Sequence, residues 1–427
     1  MPQAQIHHGP SILRIPQRQK RFSSMSKQKV GLWLIGGGGG VGSTAALGLA
    51  ALARNLTDTT SLVTELPMFQ GLDLPKAGDF VVGGHEIRKA TLWDAVNEMH
   101  ERANVFTHKL LAGCESQLAE WQKNFRPGTV IASGSTIEKL ADRPEVFAAE
   151  SPRAATDRIK ADLEDFRKRH QLDRVVVAHV ASTEPPFELG AEHQSWPALE
   201  AALKGGGRKD LLPASSLYAL AAVEMGLAYV NFTPSTGTSI PALLELAEKT
   251  GSVVSGKDGK TGETLMKTVL APMFAHRNWK ILSWVGHNIF GNRDGVVLDD
   301  PANKAAKVRD KDAVIPNIVG YKPNTLVSIE YIPSMDDWKT AWNHIHFQGF
   351  LGTKMILQFI WQGCDSLLAA PLVIDLVRLS ILAQSRGEKG VLSQLACFYK
   401  APMGTRVNDF FVQFDTLKNY LESCRAK

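Results

Sequence analysis

Cysteine is scarce in this chain: four in 427 residues, at Cys114, Cys364, Cys397 and Cys424, with no CxxC pair. That argues against a disulfide framework and a thiolate metal site, and it predicts a reduced, cytoplasmic protein. Histidine carries no metal signature either. His344 and His346 lie close together, but no HExxH occurs, so the sequence assigns no metal ligands. No uninterrupted apolar run reaches about 18 residues, and no membrane-spanning helix is predicted. A serine nucleophile elbow is also missing. Acidic residues are absent from residues 1–27, which are basic and polar. That segment reads as a disordered basic leader, with a basic targeting peptide or a true start at Met25 as alternatives. Charge excess is small, 48 Lys and Arg against 43 Asp and Glu. It suits a small anionic substrate better than a nucleic-acid surface, so neither nucleic acid nor membrane is expected as a partner.

The chain does have enough apolar residues for a core: hydrophobic content is 44% and charged content 21%. Its length fits two domains, or one large α/β domain with an insertion. Strand-like runs alternate with helix patterns from residue 30 onward: VGLWLI (30–35), a helix from Ser43, DFVVGGHEI (79–87), and one amphipathic helix over 90–113. A helix at 156–170 runs into RVVVAHVAST (174–183). Another precedes LAYVNFTPS (227–235), and PALLELAEKTG leads into VVSG. This alternation predicts a Rossmann-like, doubly wound parallel sheet. After about residue 265, ILSWVG (281–286), TLVSIEYIP (325–333) and TKMILQFIW (353–361) predict a second sheet in an inserted α+β domain. From Asp365 the pattern is helical, through QLACFYKAPMG. The expected division is a leader at 1–27, a dinucleotide domain at 28–245, a catalytic and oligomerisation domain at 246–364, and returning helices at 365–427.

Five consecutive glycines, Gly36 to Gly40, separate the first strand from its helix. Gly37, Gly39 and Gly42 satisfy GxGxxG in strand–turn–helix context. There, bare backbone lets a pyrophosphate approach the amides and positive dipole of a helix N-terminus. A P-loop is excluded, because Gly42 is followed directly by Ser43 and Thr44 with no lysine between. The acid that should hold the adenosine ribose is not at the usual spacing. Asp58 and Glu65 end no obvious strand, and Glu86, after FVVGGH, is the better candidate. A second glycine loop, GKDGKTGETLMKTVL (256–270), presents Thr261, Gly262, Glu263 and Thr264 at a helix start, as an anion site or as a plain helix cap. Lys304, Lys307 and Lys311 share one helical face. Lys400 stands in the apolar setting ACFYKAP, where desolvation favours proton transfer by lysine.

Several blocks in order resemble the myo-inositol-1-phosphate synthases, over roughly residues 28–420. IGGGGGVGST resembles that family's glycine–asparagine NAD loop, and VVGGHEI its GGWDI block. VASTEPPF, VNFTPSTGTSIPAL, KDGKTGETLMKTVL, NIFGNRDG, CDSLLAAPLVIDL and YKAP resemble further blocks. The resemblance implies an internal redox cyclisation. D-glucose 6-phosphate is oxidised at C5 with bound NAD, an enolate closes onto C1, and C5 is reduced again, giving an inositol monophosphate. It implies four catalytic lysines: Lys307 and Lys400 near the reacting oxygens, Lys311 and Lys339 nearer the phosphate. It implies NAD contacts from Gly37, Gly39, Gly40, Val41, Gly42, Ser43, Thr44, Glu86, Ser182, Thr183, Asp294 and Asp365. Substrate contacts are implied for Asp258, Thr261, Gly262, Glu263, Thr264, Asn288 and Asn292. A monovalent or divalent cation is compatible with it, and a homotetramer built through the second sheet is implied. Departures exist: Gly40 and Val41 replace two asparagines, Glu263 replaces a glutamine, and the segment before GNRDG is longer. The same chemistry on another sugar phosphate, or a non-catalytic NAD-binding descendant, are the alternatives.

Overall fold

The computed structural model describes residues 28–206, 208–298 and 314–425. The expected leader and the segment holding Lys304, Lys307 and Lys311 lie outside the described residues. Eleven described strands follow in chain order: β1 Val30–Ile35, β2 Phe80–Glu86, β3 Phe125–Pro127, β4 Arg174–His179, β5 Ala228–Asn231, β6 Val253–Gly256, β7 Lys280–Phe290, β8 Asn324–Tyr331, β9 Trp338–Gln348, β10 Lys354–Cys364 and β11 Gly390–Val391. Seven of them form one parallel sheet, in the order β11-β6-β5-β4-β1-β2-β3. Strand order reverses between β1 and β4, and at such a reversal a crevice opens outside the carboxyl ends of the strands. The first sheet therefore keeps β6, which lies past residue 245, and also takes β11 from the C-terminal part.

Both faces of this sheet are buried, so its strands are apolar without alternation, as VGLWLI shows. Leu32, Leu34, Val82 and Val176 meet helices Gly40–Ala53 and Asp365–Ser385 on one face. Trp33, Val175, Val177 and Tyr229 meet helices Pro152–His170 and Ala214–Glu224 on the other. The Asp365–Ser385 helix is long and apolar enough to cross a membrane. Here 78% of its most apolar window is buried inside the protein, as a core helix along β4, β5 and β6.

The amphipathic stretch at 90–113 is two helices, Leu92–Ala103 and His108–Gln122. Asn104 takes a left-handed conformation and ends the first, and the Thr107 side chain caps the second. Asparagine tolerates that conformation better than most residues, so it stops a helix whose periodicity would continue. QLACFYKAPMG is not helical throughout. After a short turn at Ser393–Phe398 the chain extends and pairs its backbone with the 256–260 loop, Lys400 N–H to Asp258 O at 2.7 Å and Lys260 N–H to Phe398 O at 2.8 Å.

The second sheet runs β10-β9-β7-β8, antiparallel except between β7 and β8. Its central strand β9 reads WKTAWNHIHFQ, and its alternation is carried partly by Asn and His, so apolar periodicity does not reveal it. Ala341, Asn343, Ile345 and Phe347 face inward, where Phe274 and Trp284 complete a small core under helix Glu263–His276. The opposite face carries exposed Leu326, Trp342, Ile356 and Ile360.

Candidate active site

A cavity of about 390 Å³ opens at the carboxyl ends of β1, β2 and β4. The glycine turn forms one wall. Gly36 has φ +85°, and a Cβ there would lie 2.7 Å from the Ala181 backbone, so this position requires glycine. Helix Gly40–Ala53 starts at once, three residues earlier than the Ser43 start expected from sequence. A Cβ on Gly40 would lie 2.3 Å from Ser366 Oγ. Bare backbone is thus required both for the turn and for the approach of the Asp365–Ser385 helix. Gly39, Gly40 and Val41 line the cavity with Gly36 and Gly38. Gly37, Gly42, Ser43 and Thr44 do not. Gly37 and Gly42 pack inward, the Ser43 hydroxyl bonds the Gly39 carbonyl at 2.8 Å, and Thr44 turns to Met99. The turn glycine is therefore Gly36, one residue before the GxGxxG register read from sequence.

Glu86 ends β2 beside this turn. Its carboxylate accepts the N–H groups of Gly38 at 2.6 Å, Ile87 at 2.9 Å and Arg88 at 3.1 Å. Arg88 in turn donates to the Gly38 carbonyl. Asp58 accepts from Thr60 in an exposed turn, and Glu65 pairs with Arg378, both away from the cavity wall. Ser182 and Thr183 line the cavity after β4. Next to them is Glu184, which sequence reasoning passed over. It is buried, accepts from the Ser215 N–H at 2.7 Å and from its hydroxyl, and burial pushes its carboxyl up to about 7.

The opposite wall comes from the 256–262 loop and the C-terminal extended stretch. Lys400 is buried and donates to Asp258 Oδ1 at 2.7 Å. Asp258 Oδ2 is also buried, with no hydrogen-bond partner among the described residues. Buried polar atoms are ordinarily paired, so an unpaired one on a cavity wall invites a ligand's donor. The Thr261 hydroxyl donates to Asp365 Oδ1 at 3.1 Å; Lys339 does not itself line the cavity, and its Nζ stands 3.5 Å from Asp365 Oδ2 and over the Phe290 ring. Asn292 lines the cavity and donates to Asp337 Oδ1 at 3.0 Å. The backbone of Asp294 follows at the start of helix Arg293–Leu298.

Asp337 was also passed over, although it adjoins Lys339. It accepts from Cys364 Sγ, the Ser366 N–H and the Ser366 hydroxyl, all within 2.8 Å. It thereby ties the second sheet to the helix that meets Gly40, and burial raises its carboxyl above the usual range. Gly262, Glu263, Thr264 and Asn288 do not reach the cavity wall. Glu263 turns under the second sheet, 3.0 Å from Lys267 and 2.7 Å from Asn288 Nδ2. Gly286 leaves it room there: a Cβ on Gly286 would lie 2.3 Å from Glu263 Oε1. Among the described residues no group of three His, Cys, Asp or Glu could hold a metal.

A parallel sheet with a glycine turn at its reversal point, an acid ending the neighbouring strand and a lysine–aspartate pair across the same cavity define a dinucleotide-dependent enzyme of the α/β class. The glycine cradle fits such a cofactor, since side chains at Gly36 and Gly40 would close it. Residues 62–422 match the family model described as myo-inositol-1-phosphate synthase, and the chain belongs to that family. It is 32% identical to inositol-3-phosphate synthase 1 of Bacteroides thetaiotaomicron, over 92% of this chain and 95% of that protein. It is 29% identical to inositol-3-phosphate synthase 1 of Mus musculus, over 97% of this chain and 82% of that protein. The solved structure of inositol-3-phosphate synthase from Caenorhabditis elegans superposes with a TM-score of 0.82 at 25% identity, covering 93% and 86% of the two chains.

Proposed function

We propose that this chain cyclises D-glucose 6-phosphate to 1D-myo-inositol 3-phosphate, an NAD-dependent isomerisation in inositol biosynthesis. The observation that carries the reading is the buried Lys400–Asp258 pair facing the glycine turn across one cavity. NAD, when bound, supplies oxidation at C5 and returns the same electrons, so the reaction has no net redox change. The residues fit that cofactor: the first-turn amides of Gly40 and Val41 for the diphosphate, Glu86 for the ribose, Ser182 and Thr183 along the wall.

The chain's own groups do the rest. The Lys400 ammonium, held by Asp258, can give or take a proton at an oxygen that becomes alkoxide or enolate, and its charge stabilises that oxygen. Asp258 Oδ2 can accept a hydroxyl of the substrate. Lys339, beside Asp365 and Thr261, places positive charge for the phosphate. Lys307 and Lys311, which lie outside the described residues, are proposed to complete the lysine set. Asp337 and Asp365 are two carboxylates beside the glycine turn, where a monovalent or divalent cation would offset their repulsion of a diphosphate.

We also propose a homotetramer formed through the exposed face of the second sheet, and a cytoplasmic location. The latter is supported by four free cysteines, three of them buried. The deciding experiment incubates purified protein with glucose 6-phosphate and NAD, with and without a divalent ion. Inositol monophosphate should appear by mass-resolved chromatography, without accumulation of the reduced nicotinamide band. Accumulating reduced cofactor would mean an ordinary dehydrogenase. No product from glucose 6-phosphate, with NAD still released on denaturation, would move the assignment to another sugar phosphate.

A further inference from the structure

Lys260 sits between Gly259 and Thr261, both on the cavity wall, yet its own side chain points the other way. It is 3% exposed. Its Nζ donates to Gln413 Oε1 at 2.6 Å and lies 5.7 Å from the centre of the Phe410 ring. Both partners belong to the C-terminal helix Phe410–Arg425. Gln413 is itself buried and held in place, its Nε2 donating to the Val407 carbonyl at 2.6 Å. No carboxylate lies within ion-pair distance of Lys260 among the described residues. A buried ammonium with only an amide and a ring for company is costly, and an apolar residue of similar size would pack there more cheaply. Besides the Thr261–Asp365 hydrogen bond, three stretches of chain hold the 256–262 loop. The Lys400 stretch pairs with its backbone, the Phe232 and Thr233 carbonyls accept the Gly259 and Asp258 N–H groups at 3.0 Å, and Lys260 fixes it to a helix outside the cavity.

We propose that Lys260 is a positioning residue for the phosphorylated substrate, fixing the loop that carries Asp258 and Thr261 to the C-terminal helix. This rests on the function proposed above. The groups that face Lys260 are few. Cys397, on the Ser393–Phe398 turn, has a thiol that burial pushes up to about 12, so it is neutral in the working range. Asp409 stands at the start of the C-terminal helix, where Oδ1 accepts the Phe411 and Val412 amides. Burial, only partly opposed by the Asp409 carboxylate, brings the Lys260 ammonium down to about 8. The anchor therefore loses its charge-assisted hydrogen bond as pH rises through that value, and the loop loosens.

The test is steady-state kinetics in glucose 6-phosphate at saturating NAD from pH 6.5 to 9.5, for wild type, Lys260→Met and Gln413→Glu. Lys260→Met should raise KM about tenfold or more at neutral pH, with kcat within about threefold and NAD affinity within about twofold. Gln413→Glu places a carboxylate on the ammonium, so the alkaline rise in KM should move up by at least about one pH unit. A KM within twofold of wild type in Lys260→Met, or an unmoved alkaline rise in Gln413→Glu, overturns the proposal. If Lys260→Met does not fold, Gln413→Glu decides alone. Should wild type convert no glucose 6-phosphate, the proposed function fails. Hydrogen exchange of the 256–262 amides in the NAD-loaded protein then decides the anchor. Exchange about fivefold faster in Gln413→Ala supports it, and unchanged exchange refutes it.

Discussion

At the residue scale the site depends on a few positions where one side chain, or none, is allowed. Gly36 is the clearest. Alanine there meets both a left-handed backbone, costing roughly 1–2 kcal/mol, and the Ala181 backbone 2.7 Å away. Gly36→Ala should lower the melting temperature by several degrees and weaken NAD binding at least about tenfold. Calorimetry of both quantities checks it, and an unchanged NAD affinity would remove Gly36 from the cradle. Lys400→Ala should cut turnover about 100-fold or more while NAD stays bound. Lys339→Ala should raise KM for the phosphorylated substrate more than it lowers NAD occupancy. Near-normal turnover in the first, or an unchanged KM in the second, would withdraw that lysine from its role.

At the element scale, the Asp365–Ser385 helix is more than apolar filling. Asp375 accepts the Val63 and Thr64 amides and the Thr64 hydroxyl, and so fixes the loop between the first helix and β2. Burial pushes its carboxyl up from 3.8 to about 6. A raised acid binds its proton more tightly folded than unfolded. Its contribution is therefore full below about pH 4 and is lost as pH climbs through about 6, by on the order of 3 kcal/mol. Asp375→Asn should remove that slope. Urea unfolding of both proteins from pH 4 to 7 would show it as a difference curve, and parallel curves would assign the slope to other groups.

At the scale of the molecule, the second sheet leaves Leu326, Trp342, Ile356 and Ile360 on one exposed face, with Trp342 stacked on His287. Register places Ile360 opposite Trp342 as one apolar pair across the strands, and Ile356 opposite His346 further along. Burying each large side chain stabilises an assembly by about 1.5–3 kcal/mol. If the proposed tetramer forms through this face, Ile356→Asp combined with Ile360→Asp should shift it toward monomer in light scattering. Retention of the wild-type mass would place the interface elsewhere.

The sequence by itself determined what depends on near neighbours in the chain. The alternation of apolar runs and helices specified a parallel α/β sheet. The glycine run after a strand marked the turn at the reversal point of the sheet, and Glu86 was singled out beside it because it ends the next strand. Lys400 drew attention through its apolar neighbours. Tertiary structure decided what depends on residues far apart in sequence. Only the fold brings Asp258 to Lys400, 142 positions away, and Asp337 to Ser366 beside Gly40. Only it turns Glu263 from the cavity toward Lys267 and Asn288, and sends Lys260 into the C-terminal helix. The physical reason is that turn and helix signals are local, set by backbone sterics and periodicity. A buried charge is placed by whichever partner satisfies it, and no spacing rule in the chain encodes that partner.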